Sequence, residues 1–218
     1  MTRLLFLMLF VGTLFSAPLY AQSFGVKAGL NLSNLVIKED GSEIPDLDYR
    51  PGFHAGLTTD IPLSTLFSLD AGILASTKGA IIQQGDISGN VKFSFNMLYV
   101  DVPIALKAHF PINSTAKAYI AAGPYVGVGL IGKTKLTVTV LDESEETTDD
   151  ITWGNNEEET NRLDYGASLG AGVELGSVLI GVSYNLGLDN IANTTEASIK
   201  HRVIGVSLGY RFGGGSTK

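Results

Sequence analysis

Along most of the chain, apolar residues alternate one by one with small or polar ones. Tyr165, Ala167, Leu169, Ala171 and Val173 are separated by Gly166, Ser168, Gly170 and Gly172. Ile180, Val182, Tyr184 and Leu186 are separated by Gly181, Ser183 and Asn185, and Ile204, Val206, Leu208, Tyr210 and Phe212 by Gly205, Ser207, Gly209 and Arg211. A period of two is that of a β-strand, whose successive side chains point to opposite faces. Eight segments follow it: 23–33, 51–61, 67–78, 91–110, 115–133, 162–175, 178–188 and 198–212. No comparably long stretch after residue 21 has a helical period, so the pattern predicts an all-β chain.

The connections between these segments alternate in length. Those at 62–66, 111–114 and 176–177 are tight; those at 34–50, 79–90, 134–161 and 189–197 are long. In an up-and-down barrel, consecutive connections fall at opposite ends. Outer membrane barrels pair short periplasmic turns with long extracellular loops. Eight segments with this asymmetry predict an eight-stranded antiparallel up-and-down transmembrane β-barrel.

Face chemistry sets which side meets lipid. One face of each segment carries Val, Leu, Ile, Tyr and Phe; the other carries Gly, Ser, Asn and scattered charges. The interior of an eight-stranded barrel is just wide enough for side chains to fill it. Small residues among a few larger polar ones suit that space, whereas eight bulky apolar faces would overfill it, so the bulky face is expected to point outward. The 26 glycines and a charged fraction of 17%, against about 25% in soluble domains, agree with this phase. The inward ionisable residues are then Lys27, Asp60, Asp70, Asp101, Lys107, Lys117, Glu174 and Arg211, four cations and four anions. Buried charges need partners, and these are expected to form an internal ion-pair network that plugs the lumen. In the fourth segment the apolar parity switches near Asn96 to Leu98, which implies either a β-bulge there or a strand that runs on beyond the membrane.

Residues 1–21 read as a secretory signal peptide: Arg3, a 12-residue apolar run from Leu4 to Phe15, and Ala21 at the cleavage position. The barrel is expected over 22–212, with a flexible tail over 213–218. No other segment reaches the 18 apolar residues of a membrane-spanning helix. The absence of Cys excludes a disulfide scaffold, thiol catalysis and a Cys-based zinc site. A net charge of -7 argues against a nucleic-acid partner.

Several segments together resemble a known family. Phe24-Gly-Val-Lys-Ala-Gly-Leu-Asn-Leu-Ser33 is similar to the first strand of the PorT-like outer membrane β-barrel proteins of Bacteroidetes-type bacteria. Tyr99-Val-Asp-Val-Pro-Ile-Ala-Leu-Lys107 resembles that family's Tyr-hydrophobic-acidic-hydrophobic-Pro strand, and Ala122-Gly-Pro-Tyr-Val-Gly127 its next strand. Asp164 to Glu174 and Val206 to Phe212 fit its later strands. The resemblance implies an eight-stranded barrel in the cell outer membrane. Its implied partners are outer membrane lipid, the outer membrane assembly machinery and an extracellular or secretion-related protein. It implies no catalytic residue, cofactor or metal. Such barrels commonly end on an aromatic residue; here Phe212 is followed by six further residues.

The remaining motifs add little chemistry. Gly127-Val-Gly-Leu-Ile-Gly132 matches G-x-G-x-x-G, but a strand-like run follows where a dinucleotide site needs a helix. The glycines instead suit the small inward face. Residues 142–159 hold nine acids and no base: Asp142, Glu143, Glu145, Glu146, Asp149, Asp150, Glu157, Glu158 and Glu159. They lack the spacing of a calcium loop and are expected to form a solvated, mobile surface loop. His54, His109 and His201 fall on different strands. The expected function is therefore a structural or interaction role through the extracellular loops, chiefly 134–161, without catalysis. A small-solute channel and a soluble lipocalin-type ligand-binding barrel are the alternatives. A barrel enzyme would need a histidine and carboxylates converging at the outer rim, with His201 the obvious candidate.

Overall fold

The computed structural model describes residues 23–39, 42–43, 47–86, 89–140, 143–154, 156, 159–192 and 197–212. The signal-peptide expectation at 1–21, the tail at 213–218, and Asp142, Glu157 and Glu158 lie outside these residues.

The chain forms β1 (Ser23–Glu39), β2 (Ser42–Glu43), β3 (Arg50–Pro62), β4 (Phe67–Lys78), β5 (Ile81–Asp86), β6 (Gly89–Pro111), β7 (Ala116–Val140), β8 (Glu143–Asp150), β9 (Leu163–Leu175), β10 (Val178–Gly187) and β11 (Ala197–Phe212). Eight of them close a ring of antiparallel neighbours in the order β1, β3, β4, β6, β7, β9, β10, β11. The last step, β11 to β1, runs from Phe24 opposite Phe212 to Glu39 opposite Ala197. These eight are the strands expected from the period-two pattern, and closure leaves the ring without a free edge.

The tight connections gather at one end with Ser23 and Phe212; the long ones gather at the other. The Gly176-Ser177 turn joins opposed Leu175 and Val178 with only two residues. Gly176 adopts φ 60°, a conformation that costs glycine nothing.

Across a broad belt the outward positions of the ring are apolar or uncharged, as from Phe24 to Leu32 on β1 and from Phe212 to Ile204 on β11. Leu30 and Leu57 are 71% and 65% exposed, and Ile73, Leu169, Val182 and Leu208 are similarly bare. An apolar belt of this extent would not persist in water and is the lipid face of a membrane barrel. Exposed aromatics border it: Phe24, Phe67, Phe110 and Phe212 at the turn end, Phe53, Tyr165 and Tyr184 toward the other. On β1 the belt spans Phe24 to Leu32. Nine residues at about 3.3 Å each, tilted by about 40°, give roughly 23 Å, close to the hydrocarbon band of outer membrane barrels.

Three strands depart from expectation. β2, β5 and β8 lie in connections read as loops. β5 pairs with the start of β6, and β8 pairs with the end of β7 from Lys133 opposite Asp150 to Val140 opposite Glu143. With the β6–β7 pairing from Gly89 to Asn96, they build a four-stranded sheet beyond the ring. Over Glu143, Glu145, Glu146, Asp149 and Asp150 the acidic segment is thus a strand where a loop was expected, and all five are exposed to solvent as expected. Its Thr147-Thr148 centre and its pairing with the alternating Lys133–Val140 run hold it extended. The parity switch is also relocated. The register shifts where Leu98 opposes Ile131 and Tyr99 opposes Gly129, so the extra residue is Leu130 on β7, not one on β6. On β6, Met97 and Tyr99 keep the inward phase of Asp101 and are buried. They are apolar because the chain there has passed the lipid belt and packs inward.

Candidate functional site: two ion-pair clusters in the lumen

Strand alternation places one charged side chain after another in the lumen near the turn end. Asp60 on β3, Asp70 on β4, Lys107 on β6, Glu174 on β9, Arg211 on β11 and Lys27 on β1 converge there. Lys107 Nζ lies 2.7 Å from Asp70 Oδ2, 3.0 Å from Asp60 Oδ2 and 3.5 Å from Glu174 Oε1. Arg211 Nη2 donates to Glu174 Oε1 at 2.7 Å and lies 3.6 Å from Asp60 Oδ2. Lys27 Nζ stands 4.0 Å from Asp70 Oδ1. Three cations balance three carboxylates in this floor.

Two of the eight residues expected in one network are elsewhere. Lys117 follows the inward parity but sits at the very end of the barrel, where it is exposed and makes no ion pair among the described residues. There it can be solvated without a partner. Asp101 belongs to a second cluster near the long-connection end, which sequence reasoning missed. Lys78 Nζ, 1% exposed, lies 2.8 Å from Asp101 Oδ1 and 2.8 Å from Asp164 Oδ2. It also sits 4.6 Å above the Tyr99 ring and 4.8 Å from that of Tyr125. Tyr125 Oη donates to Asp164 Oδ2 at 3.3 Å. Two carboxylates and two ring faces enclose one ammonium, an arrangement in which the cation–π term is strong because water is excluded.

An apolar cap closes the mouth above this roof. Leu35, Ala80, Met97, Tyr99 and Ile191 are buried together, with Ile151 and Trp153 packed on them. Trp153 meets Tyr99 edge-on at 5.8 Å. It rests on the G-x-G-x-x-G glycines: a Cβ at Gly129 would stand 2.5 Å from Trp153 Cη2, and one at Gly132 3.0 Å from Cζ2. The motif is a seat for a ring, not a phosphate loop. The segment that carries Trp153 crosses the mouth. Ile151 N–H donates to Gly132 O, and Asn161 N–H donates to Ile191 O in the β10–β11 connection.

The lumen keeps a cavity of about 110 Å³ that runs from the floor charges Lys27, Asp60, Asp70, Lys107 and Arg211, past neutral groups such as Asn31, His54 and Ser207, to Asp101 of the roof. His54 Nδ1 donates to Asn31 Oδ1 at 2.7 Å, and its Nε2 accepts from Ser207 Oγ at 2.9 Å. The neutral tautomer satisfies both contacts.

Two constellations invite a chemical reading. Ser68 Oγ is 2.9 Å from His109 Nε2, and His109 Nδ1 is 3.7 Å from Glu174 Oε2. The order is that of an acyl-transfer triad. Yet Ser68 is 2% exposed and donates to Asp60 Oδ2 at 3.0 Å, so the hydroxyl is tied down where no substrate carbonyl has access. Asp60, His109 and Glu174 also approach closely enough to share a metal ion. A cation would have to displace Lys107 from Asp60 and Arg211 from Glu174 in an already balanced cluster. His201, the candidate at the outer rim, is fully buried beneath the cap, its Nε2 3.4 Å from Tyr99 Oη. It serves the roof packing.

The family model of the outer membrane protein β-barrel domain matches residues 20–193. The chain belongs to this family. Its place is accordingly the cell outer membrane, as the outward apolar belt requires. The match is to the outer membrane β-barrel domain family as such, and the likeness to the PorT-like proteins stays a resemblance. Among curated proteins nothing matches the chain. Similar solved structures include the attachment invasion locus protein Ail of Yersinia pestis, at 16% identity, covering 87% of this chain and 98% of that one with a TM-score of 0.39. Neisserial surface protein A gives 10%, 87%, 97% and 0.43 for the same quantities. The outer membrane protein OprG of Pseudomonas aeruginosa gives 13%, 88%, 97% and 0.41.

Proposed function

We propose that this outer membrane barrel is a non-catalytic interaction protein whose working surface is the sheet of β5 to β8 above the rim. The observation that carries the reading is β8. All eight of its residues are exposed, five are carboxylates, and the strand pairs only with β7 among the described residues. Its other edge therefore offers a row of unpaired backbone N–H and C=O groups to an extended segment. The carboxylates favour a basic partner and repel a second copy of the same acidic strand, which is how an exposed edge escapes self-pairing. A secretion-related extracellular protein, as the PorT-like resemblance implies, is the partner class that fits. The test is titration of the detergent-solubilised protein with a lysine-rich extended peptide, read by fluorescence anisotropy. Binding that weakens at least tenfold when Thr147→Pro interrupts β8, while the barrel still migrates heat-modifiably, supports the edge. Equal binding by that variant refutes it. The channel reading is tested separately: the two ion-pair clusters that cross the lumen favour no conductance above the bilayer baseline in planar membranes.

A further inference from the structure

Outside the ring, charge is confined to one level. Outward positions from Phe24 to Leu32 on β1, Val178 to Leu186 on β10 and Phe212 to Ile204 on β11 are all uncharged. The first outward position above Ile204 is Arg202, opposite Asn34, and the next is Lys200, opposite Val36. On β7 the corresponding outward cations are Lys133 and Lys135. At the turn end no cation faces outward from a strand among the described residues.

The two basic patches differ. Lys133 Nζ lies 3.8 Å from Asp150 and Lys135 Nζ 2.7 Å from Glu146, so β8 supplies their counter-charges. Lys200 and Arg202 make no salt bridge within 4 Å among the described residues, Lys200 having only a longer-range attraction to Asp189. They stand two residues apart on one face of β11, about 7 Å between Cα atoms, within joint reach of a single tetrahedral anion. Below them Ile204, Val206 and Leu208 run down the lipid face, and Tyr184 sits opposite Ile204. The polar headgroup layer begins where the apolar belt ends, so both cations sit at headgroup depth.

We propose that Lys200 and Arg202 form a seat for the phosphate of an outer-leaflet lipid, whose acyl chains lie along Ile204, Val206 and Leu208. The guanidinium grips phosphate oxygens in a fork while the ammonium adds a point charge. The bare turn end gives the opposite leaflet no equivalent seat.

The experiment is native mass spectrometry of the full barrel in nonionic detergent, titrated with bisphosphorylated lipid A, with its dephosphorylated counterpart, and with inorganic phosphate alone. Retention of the phosphorylated lipid and not of the dephosphorylated one is expected. The double variant Lys200→Gln/Arg202→Gln should weaken retention about thirtyfold, at about fivefold per cation near a lipid surface. Lys133→Gln/Lys135→Gln should change it less than twofold. Both substitutions lie outside the lumen, and heat-modifiable migration verifies folding. Equal retention of the dephosphorylated lipid, unchanged retention by the folded Lys200/Arg202 double variant, or displacement of the lipid by millimolar inorganic phosphate would each overturn the seat.

Discussion

The two ends of the lumen are crossed by the same kind of bond arranged with different redundancy. At the floor, three carboxylates share three cations, and Glu174 keeps Arg211 at 2.7 Å whatever becomes of Lys107. At the roof, Asp101 and Asp164 share Lys78 alone. Removing one member of a buried pair leaves an uncompensated charge, which costs far more than the pair gains over an apolar replacement. The roof therefore depends on a single side chain and the floor does not. The surroundings differ in the same sense: Lys107 in the floor has one tyrosine face, Tyr119, at 4.9 Å, whereas Lys78 in the roof lies between two tyrosine faces beneath an apolar cap.

Substitutions at the two lysines test this contrast most directly. Lys78→Met strands two buried carboxylates and should lower stability by about 3–5 kcal/mol, read as a shifted urea midpoint for the barrel in lipid vesicles. Adding Asp164→Asn to it should recover part of that loss. Lys107→Met should cost less, about 2–3 kcal/mol, because Arg211 remains to hold Glu174 and Asp60. A floor variant less stable than the roof variant would reverse the comparison. Trp153→Ala should cost about 1–3 kcal/mol, below the value for a fully buried ring, since Trp153 is only partly covered. Trp153 is the sole tryptophan, so its emission reports on the roof alone. Lys78→Met should shift that emission to the red, whereas Lys107→Met should leave it in place; equal shifts would mean that the ends are coupled. Lys117→Gln, at an exposed site without an ion pair, should stay within about 0.5 kcal/mol of the parent.

The ring was legible because its signal is repeated: each strand turns one face to lipid, and the same alternation recurs eight times. The floor was legible for the same reason, since Asp60, Asp70, Lys107, Glu174 and Arg211 all occupy small-residue parities at the end of the barrel where tight connections fix the strand limits. The roof was not, although the signal existed. Lys78 shares the parity of Asp70, and Asp164 that of Glu174, but both lie where a strand meets a long connection, and there boundaries read from sequence are least certain. Above the belt, water bathes both faces and the reason for alternation disappears. Glu143–Asp150 is therefore a strand with no apolar face to betray it. Trp153 stands within the acidic stretch 142–159, but its seat on Gly129 and Gly132 depends on a chain crossing that only three dimensions reveal.

The seam between β1 and β11 has a consequence for how such a chain is made. Phe24 and Phe212, 188 positions apart (212 − 24), are opposed in the finished ring. All sixteen rungs of that seam join the two ends of the described chain. Neither edge has its neighbour until the last strand is present, and closing so long a loop carries an entropic cost that local hairpins do not. The hairpins β3–β4, β6–β7 and β9–β10 can zip as they emerge. The polypeptide must nevertheless wait, two sticky margins exposed, until its final residues arrive, and an escort that shields those margins in transit shortens the interval in which they could pair with another chain.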